Sequence, residues 1–232
     1  MESSNNLISG LSQDYLEDLM VRMAHHSTAI EGNSLSQGET KSILIDRIVP
    51  RIVEMRELYE VENYGDFMPE MIEDVKRKTP IDLELIKKYH VLLCKKTIEH
   101  VPGQFKVIPN NVVGADFEPT PPYRVPMDLE EWRRNLEAQM QYAKDNDQIV
   151  EVICRQHLAF ERIHPFPDGN GRVGRALMVY MCFMYNIIPI VINKQSRKEY
   201  MLYLNTSNIP GMVAFCKKLQ EEEKDRIKSF VE

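Results

Sequence analysis

The sequence lacks three features that mark large classes of protein: long apolar runs, paired cysteines and an excess of basic residues. No apolar run reaches the roughly 20 residues that a membrane-spanning helix needs, so we expect no membrane partner. The cysteines are scattered without a CxxC pair, and no secretory signal opens the sequence. Both absences favour reduced thiols and a cytoplasmic location.

The charge balance is mildly acidic. A net charge of −6 and a pI near 5.6 exclude the broad basic surface of a general nucleic-acid-binding protein, so we expect no nucleic-acid partner. The sequence also has no internal repeat and no low-complexity segment.

What the sequence does contain is typical of a helical globular protein. Its 232 residues can bury a sizeable core, and 43% hydrophobic with 28% charged residues is an ordinary composition. Apolar residues recur at helical spacing, as Leu11, Tyr15, Leu19 and Met23 do near the beginning. We therefore expect an all-α fold of roughly eight helices, organised as a single domain over residues 1–232.

Capping patterns predict where several helices begin. The expected first residues or caps are Ser36, Thr79, Asp128, Asp147 and Ser196. A further helix is expected over residues 51–64, with one apolar and one acidic side.

The stretch from Ile163 to Arg175 interrupts the helical pattern. Pro165 and Pro167 end the preceding helix, while Gly169 and Gly171 permit positive φ and a close approach of a ligand to the backbone. A new helix is expected to begin near Gly171, and its free amides point into the loop. Such amides bind anions, phosphate above all.

The charged and titratable side chains of this loop suit phosphate chemistry. Arg172 and Arg175 lie one turn apart, so both can contact the same anion. Asp168 would repel a bare phosphate, so we expect a Mg²⁺ ion between the two. His164 titrates near neutral pH, as a general base should. Taken singly, each residue has an ordinary structural explanation, and only their combination in one short loop favours a nucleotide site.

The loop resembles the signature of the Fic family, H-P-F-x-[DE]-G-N-G-R-x-x-R, at every fixed position from His164 to Arg175. The resemblance implies a single Fic-type domain that transfers AMP from ATP to a Ser, Thr or Tyr hydroxyl of a target protein. It implies His164 as the catalytic base, Asp168 as the Mg²⁺ ligand and Phe166 as a core anchor. The implied nucleotide-binding residues are Gly169, Asn170, Gly171, Arg172 and Arg175. The target is not identified, and automodification and a homo-oligomer are left open.

Ser27, Glu31 and Gly32 match a second Fic motif, [ST]-x-x-x-E-[GN], at the end of a segment expected to be helical over residues 11–32. From this stretch alone, Glu31 is explained equally well as a solvated carboxylate, although the dipole at a helix C-terminus disfavours it. The resemblance implies an N-terminal inhibitory helix, in which Glu31 pairs with Arg175 and blocks the γ-phosphate. It also leaves open a role for Glu31 in removing AMP.

Residues 101–125 have no helical period and contain five prolines. Paired valine and isoleucine residues on both sides of Pro109 predict a short β-hairpin, with an ordered surface loop as the alternative. The resemblance implies the Fic flap, which covers the nucleotide and aligns a target peptide by strand addition. The implied docking residues are Val107, Ile108, Val112 and Val113. Lys106 stands where the family commonly has an arginine, which puts one flap contact in doubt.

The residues outside these motifs indicate a function less clearly. Tyr200 and Tyr203 suit an adenosine pocket or simple packing, and His90 is expected to be a core histidine. A metal hydrolase built on His157 and His164 lacks a third ligand at a sensible spacing.

Transfer of UMP, phosphate or phosphocholine, and a non-enzymatic adaptor, are the alternative functions. Asp168 and the intact Gly-Asn-Gly favour nucleotidyl transfer.

Overall fold

The computed structural model describes residues 7–99, 101–111 and 117–230. Over these ranges the chain forms nine α-helices: α1 Gln13–Ile30, α2 Gln37–Lys41, α3 Met55–Arg77, α4 Leu83–Cys94, α5 Val125–Tyr142, α6 Asn146–Ile163, α7 Asn170–Met184, α8 Arg197–Thr206 and α9 Ile209–Lys228. The all-α prediction is confirmed. Within the same ranges, no helix combines the length and apolar character needed to cross a membrane.

The predicted hairpin is not confirmed. No strand occurs among the described residues, and Val107 and Ile108 lie on an irregular, exposed segment. Val112 and Val113 lie outside the described residues. A two-stranded hairpin has few stabilising contacts of its own and depends on a partner strand or a docking surface.

Helix α7 is the centre of the fold. Every residue from Val173 to Phe183 is buried, and α7 contacts α1, α3, α4 and α6. A helix that is apolar on all sides belongs in the interior of a protein. The loop that leads into α7 is therefore held between packed helices, which fixes the positions of its side chains.

Several helix boundaries differ from the predictions. Helix α3 begins at Met55 and continues beyond Tyr64 through Pro69 to Arg77. Its buried face continues with Phe67, Met68 and Met71, and this burial extends the helix past the proline. The capping box at Ser36 and Glu39 is present as predicted.

Four predicted helix starts are displaced. Asp82, rather than Thr79, caps α4 by accepting a hydrogen bond from the Leu85 amide at 2.8 Å. Asp145, rather than Asp147, caps α6. Before α8, the Asn193 side chain caps a short 3₁₀ turn over Lys194–Ser196, so Ser196 makes no side-chain cap. Helix α5 begins at Val125, ahead of Asp128. At α4 and α6 the chain offers more than one residue that can accept from a free amide, and packing selects among them.

A buried cluster of charges fastens α1 to α9. Arg22 donates to both carboxylate oxygens of Glu223, each at 2.7 Å, and Tyr15 donates to the same carboxylate at 2.5 Å. Asp18 joins the cluster by accepting from Arg22 at 2.6 Å and from Arg226 at 2.6 and 2.7 Å. The side chains of Arg22 and Glu223 are only 7% and 6% exposed, so water screens this ion pair little.

We expect Glu223→Gln to destabilise the protein by about 3 kcal/mol, because removing one partner leaves a buried guanidinium undercompensated. Urea denaturation of the variant and the wild type measures this difference. Glu221→Gln is the matched control, since Glu221 lies on the same helix and is largely exposed beside Lys224. An unchanged midpoint for Glu223→Gln would show that the cluster adds no net stability.

Candidate active site

The loop between α6 and α7 is shaped by two left-handed residues and one asparagine. His164, at the end of α6, has φ 49°, and Gly169, at the start of α7, has φ 76°. The Asn170 side chain closes the loop by accepting from the Phe166 amide and donating to the Phe166 carbonyl, both at 2.8 Å. Since both ends of this side chain are used, Asn170 shapes the loop, and the backbone amides at the start of α7 are left to face a ligand.

His90, on α4, supports the loop between α6 and α7. Its ring is fully buried, as expected, and stacks on Phe166 with ring centroids 3.8 Å apart. Nδ1 accepts from the Gly103 amide at 2.7 Å, so Nε2 carries the proton that it donates to the Asp168 carbonyl at 3.0 Å. Burial lowers the pKa of His90 to about 4, which keeps this arrangement neutral. The sequence gives no signal for this role beyond a histidine on an apolar helix.

His164 is largely buried, with its side chain 13% exposed, and it is neutral. Burial lowers its pKa to about 4, and the Lys106 ammonium acts in the same direction. Its Nδ1 has no hydrogen-bond partner among the described residues and lies 4.0 Å from Glu161 Oε2. A neutral imidazole can accept a proton throughout the physiological pH range.

Both loop arginines are buried rather than solvated. Arg172 is fully buried, and its Nη1 donates to the Leu93 carbonyl at 3.3 Å and to Thr97 Oγ1 at 3.1 Å. The Nη2 group of Arg172 makes no hydrogen bond to any described residue, and its Nε meets only the Glu31 carboxylate, in an ion pair at 3.0 Å. Buried donors of this kind are costly unless an anion pairs with them. A phosphate would pair with Nη2 and could take the place of Glu31 at Nε.

Glu31 lies between the two arginines. Its Oε1 accepts from Arg175 Nη2 at 2.6 Å, and its Oε2 forms an ion pair with Arg172 Nε at 3.0 Å. Ser27 supports the contact, because its hydroxyl and carbonyl oxygens each accept from Arg175 at 2.9 Å. A Cβ at Gly171 would lie 2.6 Å from Glu31 Oε1, so glycine there is what lets the carboxylate approach. The contact with Arg172 goes beyond the pair that the resemblance implied.

Asp168 projects partly into solvent, with its side chain 45% exposed. Its Oδ2 lies 3.5 Å from Arg56 and 3.7 Å from Arg172, both too long for strong hydrogen bonds. The described chain has no group of three or more His, Cys, Asp or Glu residues that could hold a metal ion. A Mg²⁺ ion here would take one carboxylate from the protein and its other ligands from phosphates and water, which is how Mg²⁺ usually binds with nucleotides. The residues present fit such an ion.

A cavity of about 450 Å³ joins these groups. Among the residues that line it are Glu31, Arg56, His164, Asp168, Arg175 and Tyr200. The Tyr200 hydroxyl lies 2.8 Å from His157 Nε2. Tyr203 is not part of the lining and instead donates to Glu199 at 2.7 Å. Arg56 and Met201 also line the cavity, and the sequence did not indicate either because both lie outside every motif.

The segment after α4 docks on the loop through Lys106. Its amide donates to the Pro165 carbonyl at 2.9 Å, and its ammonium donates to Asn110 Oδ1 at 2.7 Å. Asn110 in turn donates to the Phe166 carbonyl at 2.8 Å. Burial lowers the pKa of Lys106 to about 8. The lysine thus secures the segment to the loop in spite of the departure from the family pattern.

Comparison with known families matches residues 80–182 to the Fic/DOC family. The chain contains a Fic/DOC family domain. The matched range includes α4, α6 and the whole loop from His164 to Arg175 but not the helix that carries Glu31. The Fic assignment therefore rests on the loop and its supporting helices.

Relatives and solved structures agree with the Fic assignment. The protein named Protein adenylyltransferase Fic from Aedes aegypti is 28% identical over 201 residues, covering 83% of this chain and 38% of the relative. Its namesake from Drosophila persimilis is 26% identical over 211 residues, covering 89% and 39%. The chain thus spans about two fifths of the length of these relatives.

Structural neighbours share the Fic fold. A Fic domain containing signaling protein from Bacteroides thetaiotaomicron has a TM-score of 0.82 and 21% identity, covering 95% of this chain and 91% of that one. Fic-1 from C. elegans has a TM-score of 0.73 and 22% identity, covering 99% and 66%. At this level of identity the likeness establishes the fold.

Proposed function

We propose that this Fic domain is a protein adenylyltransferase that transfers AMP from ATP to a Ser, Thr or Tyr hydroxyl of a target protein. The observation that carries the proposal is that the buried Arg175 and a neutral His164 line the same cavity, while the buried Arg172 is joined to Arg175 through the Glu31 carboxylate. The names of the curated relatives support the same activity.

The proposed roles follow the positions of the groups. The amides of Asn170 and Gly171 cradle the α-phosphate, whereas the Gly169 amide already donates to Asp168 Oδ1 at 2.7 Å. The two arginines hold the β- and γ-phosphates. Asp168 would hold Mg²⁺, which would neutralise charge on the phosphates. Tyr200 borders the cavity and is the better of the two tyrosine candidates for contact with adenosine.

The proposed reaction is an in-line displacement. The target hydroxyl gives its proton to His164, and its oxygen forms a bond to the α-phosphorus. The bond from that phosphorus to the bridging oxygen breaks, and pyrophosphate leaves. Arg172 and Arg175 stabilise the negative charge that develops on the leaving group. Automodification needs only a hydroxyl of the same or a second chain in the place of the target.

We further propose that α1 is an inhibitory helix within a single domain. Glu31 occupies both arginines, and a γ-phosphate needs the same guanidinium groups. ATP then binds with its γ-phosphate displaced and its α-phosphate misaligned for attack. A carboxylate in this position also suits the activation of a water for removal of AMP.

Incubating Glu31→Gly with Mg²⁺ and each nucleotide in turn tests the proposed function. We expect intact mass to increase by one AMP with ATP, and no increase with UTP or CDP-choline. Asp168→Ala in the same background should lose both the transfer and its stimulation by Mg²⁺. Asp66→Ala is the control, because Asp66 lies on the exterior of α3 and pairs with Lys95. Modification by another donor instead of ATP, or Mg²⁺ stimulation that survives Asp168→Ala, would contradict the proposal.

A further inference from the structure

Glu161 is a buried carboxylate beside the cavity that the proposed mechanism leaves without a role. It is 4% exposed, and its Oε1 has no hydrogen-bond partner among the described residues. Its Oε2 lies 4.0 Å from Nδ1 of His164, a buried nitrogen that has no side-chain hydrogen-bond partner among the described residues. The Glu161 carboxylate and the His164 imidazole therefore face each other slightly beyond hydrogen-bond distance.

Gly174 leaves room for the Glu161 carboxylate where α7 packs against α6. A Cβ at Gly174 would lie 2.4 Å from Glu161 Oε1 and 3.1 Å from the His157 ring. Only glycine at position 174 therefore lets α7 pack over Glu161 as it does. An unpaired buried carboxyl normally costs stability, so a site that keeps one needs an explanation.

His164 needs a counter-charge at the moment of transfer. When its Nε2 takes the hydroxyl proton, an imidazolium forms in a buried position. The nearby Lys106 ammonium raises the energy of that cation, as its effect on the His164 pKa indicates. A buried charge without a partner is strongly disfavoured, and a carboxylate next to Nδ1 offsets it.

We propose that Glu161 is a positioning residue that orients the His164 ring through Nδ1 and stabilises the imidazolium formed during transfer. The proposal rests on the proposed function. The hydroxyl proton bonds to Nε2, and the proton already on Nδ1 points to Glu161 Oε2. After pyrophosphate departs, the Nε2 proton is released to water, and His164 returns to its neutral form.

The charged and titratable groups near Glu161 lie on or directly after four helices. They are Arg175 on α7, Glu31 directly after α1, His157 on α6, His164 directly after α6, and Tyr200 on α8. Burial raises the pKa of Glu161 to about 7, Arg175 opposes this rise, and Glu31 adds to it. Glu161 is thus protonated below about pH 6 and ionised above about pH 8, and only the ionised form stabilises the imidazolium. The rate of transfer should rise across this interval.

The kinetic test compares Glu161→Gln and Glu161→Asp in the Glu31→Gly background. Glu161→Gln should lower kcat about tenfold, equivalent to one pKa unit of base strength, with the KM for ATP unchanged. It should also remove the rise in rate, which lies at or below pH 7 in this background because Glu31 no longer raises the pKa of Glu161. Glu161→Asp should keep the rise. Glu151→Gln is the matched control, since Glu151 lies on the exposed side of α6 beside Arg155.

Two kinetic results would overturn the role. One is a pH profile that is unchanged in Glu161→Gln, which would assign the rise to His164 or Lys106. The other is a larger loss for Glu161→Asp than for Glu161→Gln, because a packing role depends on side-chain length rather than on charge.

A second measurement does not depend on transfer. In NMR titrations of the wild type, the ring signals of His164, assigned by their loss in His164→Asn, should show an inflection near pH 7 that Glu161→Gln removes. If no variant transfers AMP but this inflection is present, the proposed function fails and the pairing holds. If the inflection is absent from the wild type, the pairing fails, whatever the activity.

Discussion

His164→Ala should lower the rate of AMP transfer by roughly 10²- to 10⁴-fold, the usual contribution of a general base, and leave ATP binding nearly intact. The reason is the separation of roles within the loop. His164 lies at the end of α6, whereas the amides and arginines assigned to the phosphates lie on α7. Because the pKa of His164 is lowered to about 4, the neutral base is present at every pH above that value.

Initial rates of labelled AMP incorporation, measured in the Glu31→Gly background, give the size of this loss. His164→Asn serves as a second variant, since it keeps a polar side chain of similar reach but cannot act as a base at neutral pH. Calorimetric titration with ATP shows whether binding is retained in both. Transfer at an undiminished rate by either variant would remove His164 from the mechanism.

Glu31→Gly should activate the enzyme strongly, by on the order of 100-fold if the closed state is about 99% populated. A closed-to-open ratio of 99:1 requires ~2.7 kcal/mol, which is half of the free-energy change that moves the ratio from 1:99 to 99:1. An exposed ion pair supplies only about 0–1 kcal/mol. The Glu31 contacts are sheltered instead, because Arg172 and Arg175 are 0% and 7% exposed and the carboxylate pairs with both.

Ser27→Ala should activate less than Glu31→Gly, because it removes one acceptor from Arg175 and leaves the carboxylate in place. Initial rates at saturating ATP for the wild type and both variants give the order. Glu17→Gly is the matched control, since it adds a glycine to α1 far from the arginines. Equal rates for the wild type and Glu31→Gly would leave Glu31 as a charge at the end of a helix, with no inhibitory role.

The placement of α1 explains why one glutamate can have so large an effect. The helix is fastened near its beginning by the cluster of Arg22 and Glu223, and at its end by Ser27 and Glu31. Little conformational freedom remains to be lost when Glu31 pairs, so most of the ion-pair energy is available for closure. A signal that relieves inhibition would have to weaken one of these two attachments.

Helix content and the chemistry of the loop were predictable from the sequence because both are local properties. Apolar spacing indicates helices, and the two prolines with Gly169 fix where α6 ends and α7 begins. Cap positions were less predictable, as Asp82 and Asn193 show, because neighbouring polar residues compete for the same amides. The flap was predicted as a hairpin from two short apolar pairs, a pattern too weak to specify strand pairing.

The sequence by itself determined that the chain is helical and that a phosphate-binding loop with a base and two arginines interrupts the helices. Only the tertiary structure decided that Glu31 bridges both arginines, that His90 holds the loop and that Tyr200 rather than Tyr203 borders the cavity. Glu31 and Arg175 are 144 residues apart, and His90 and Asp168 are 78 apart. Such contacts depend on how α1 and α4 pack against α7, and helical periodicity fixes which face of a helix is buried but not which helix covers it.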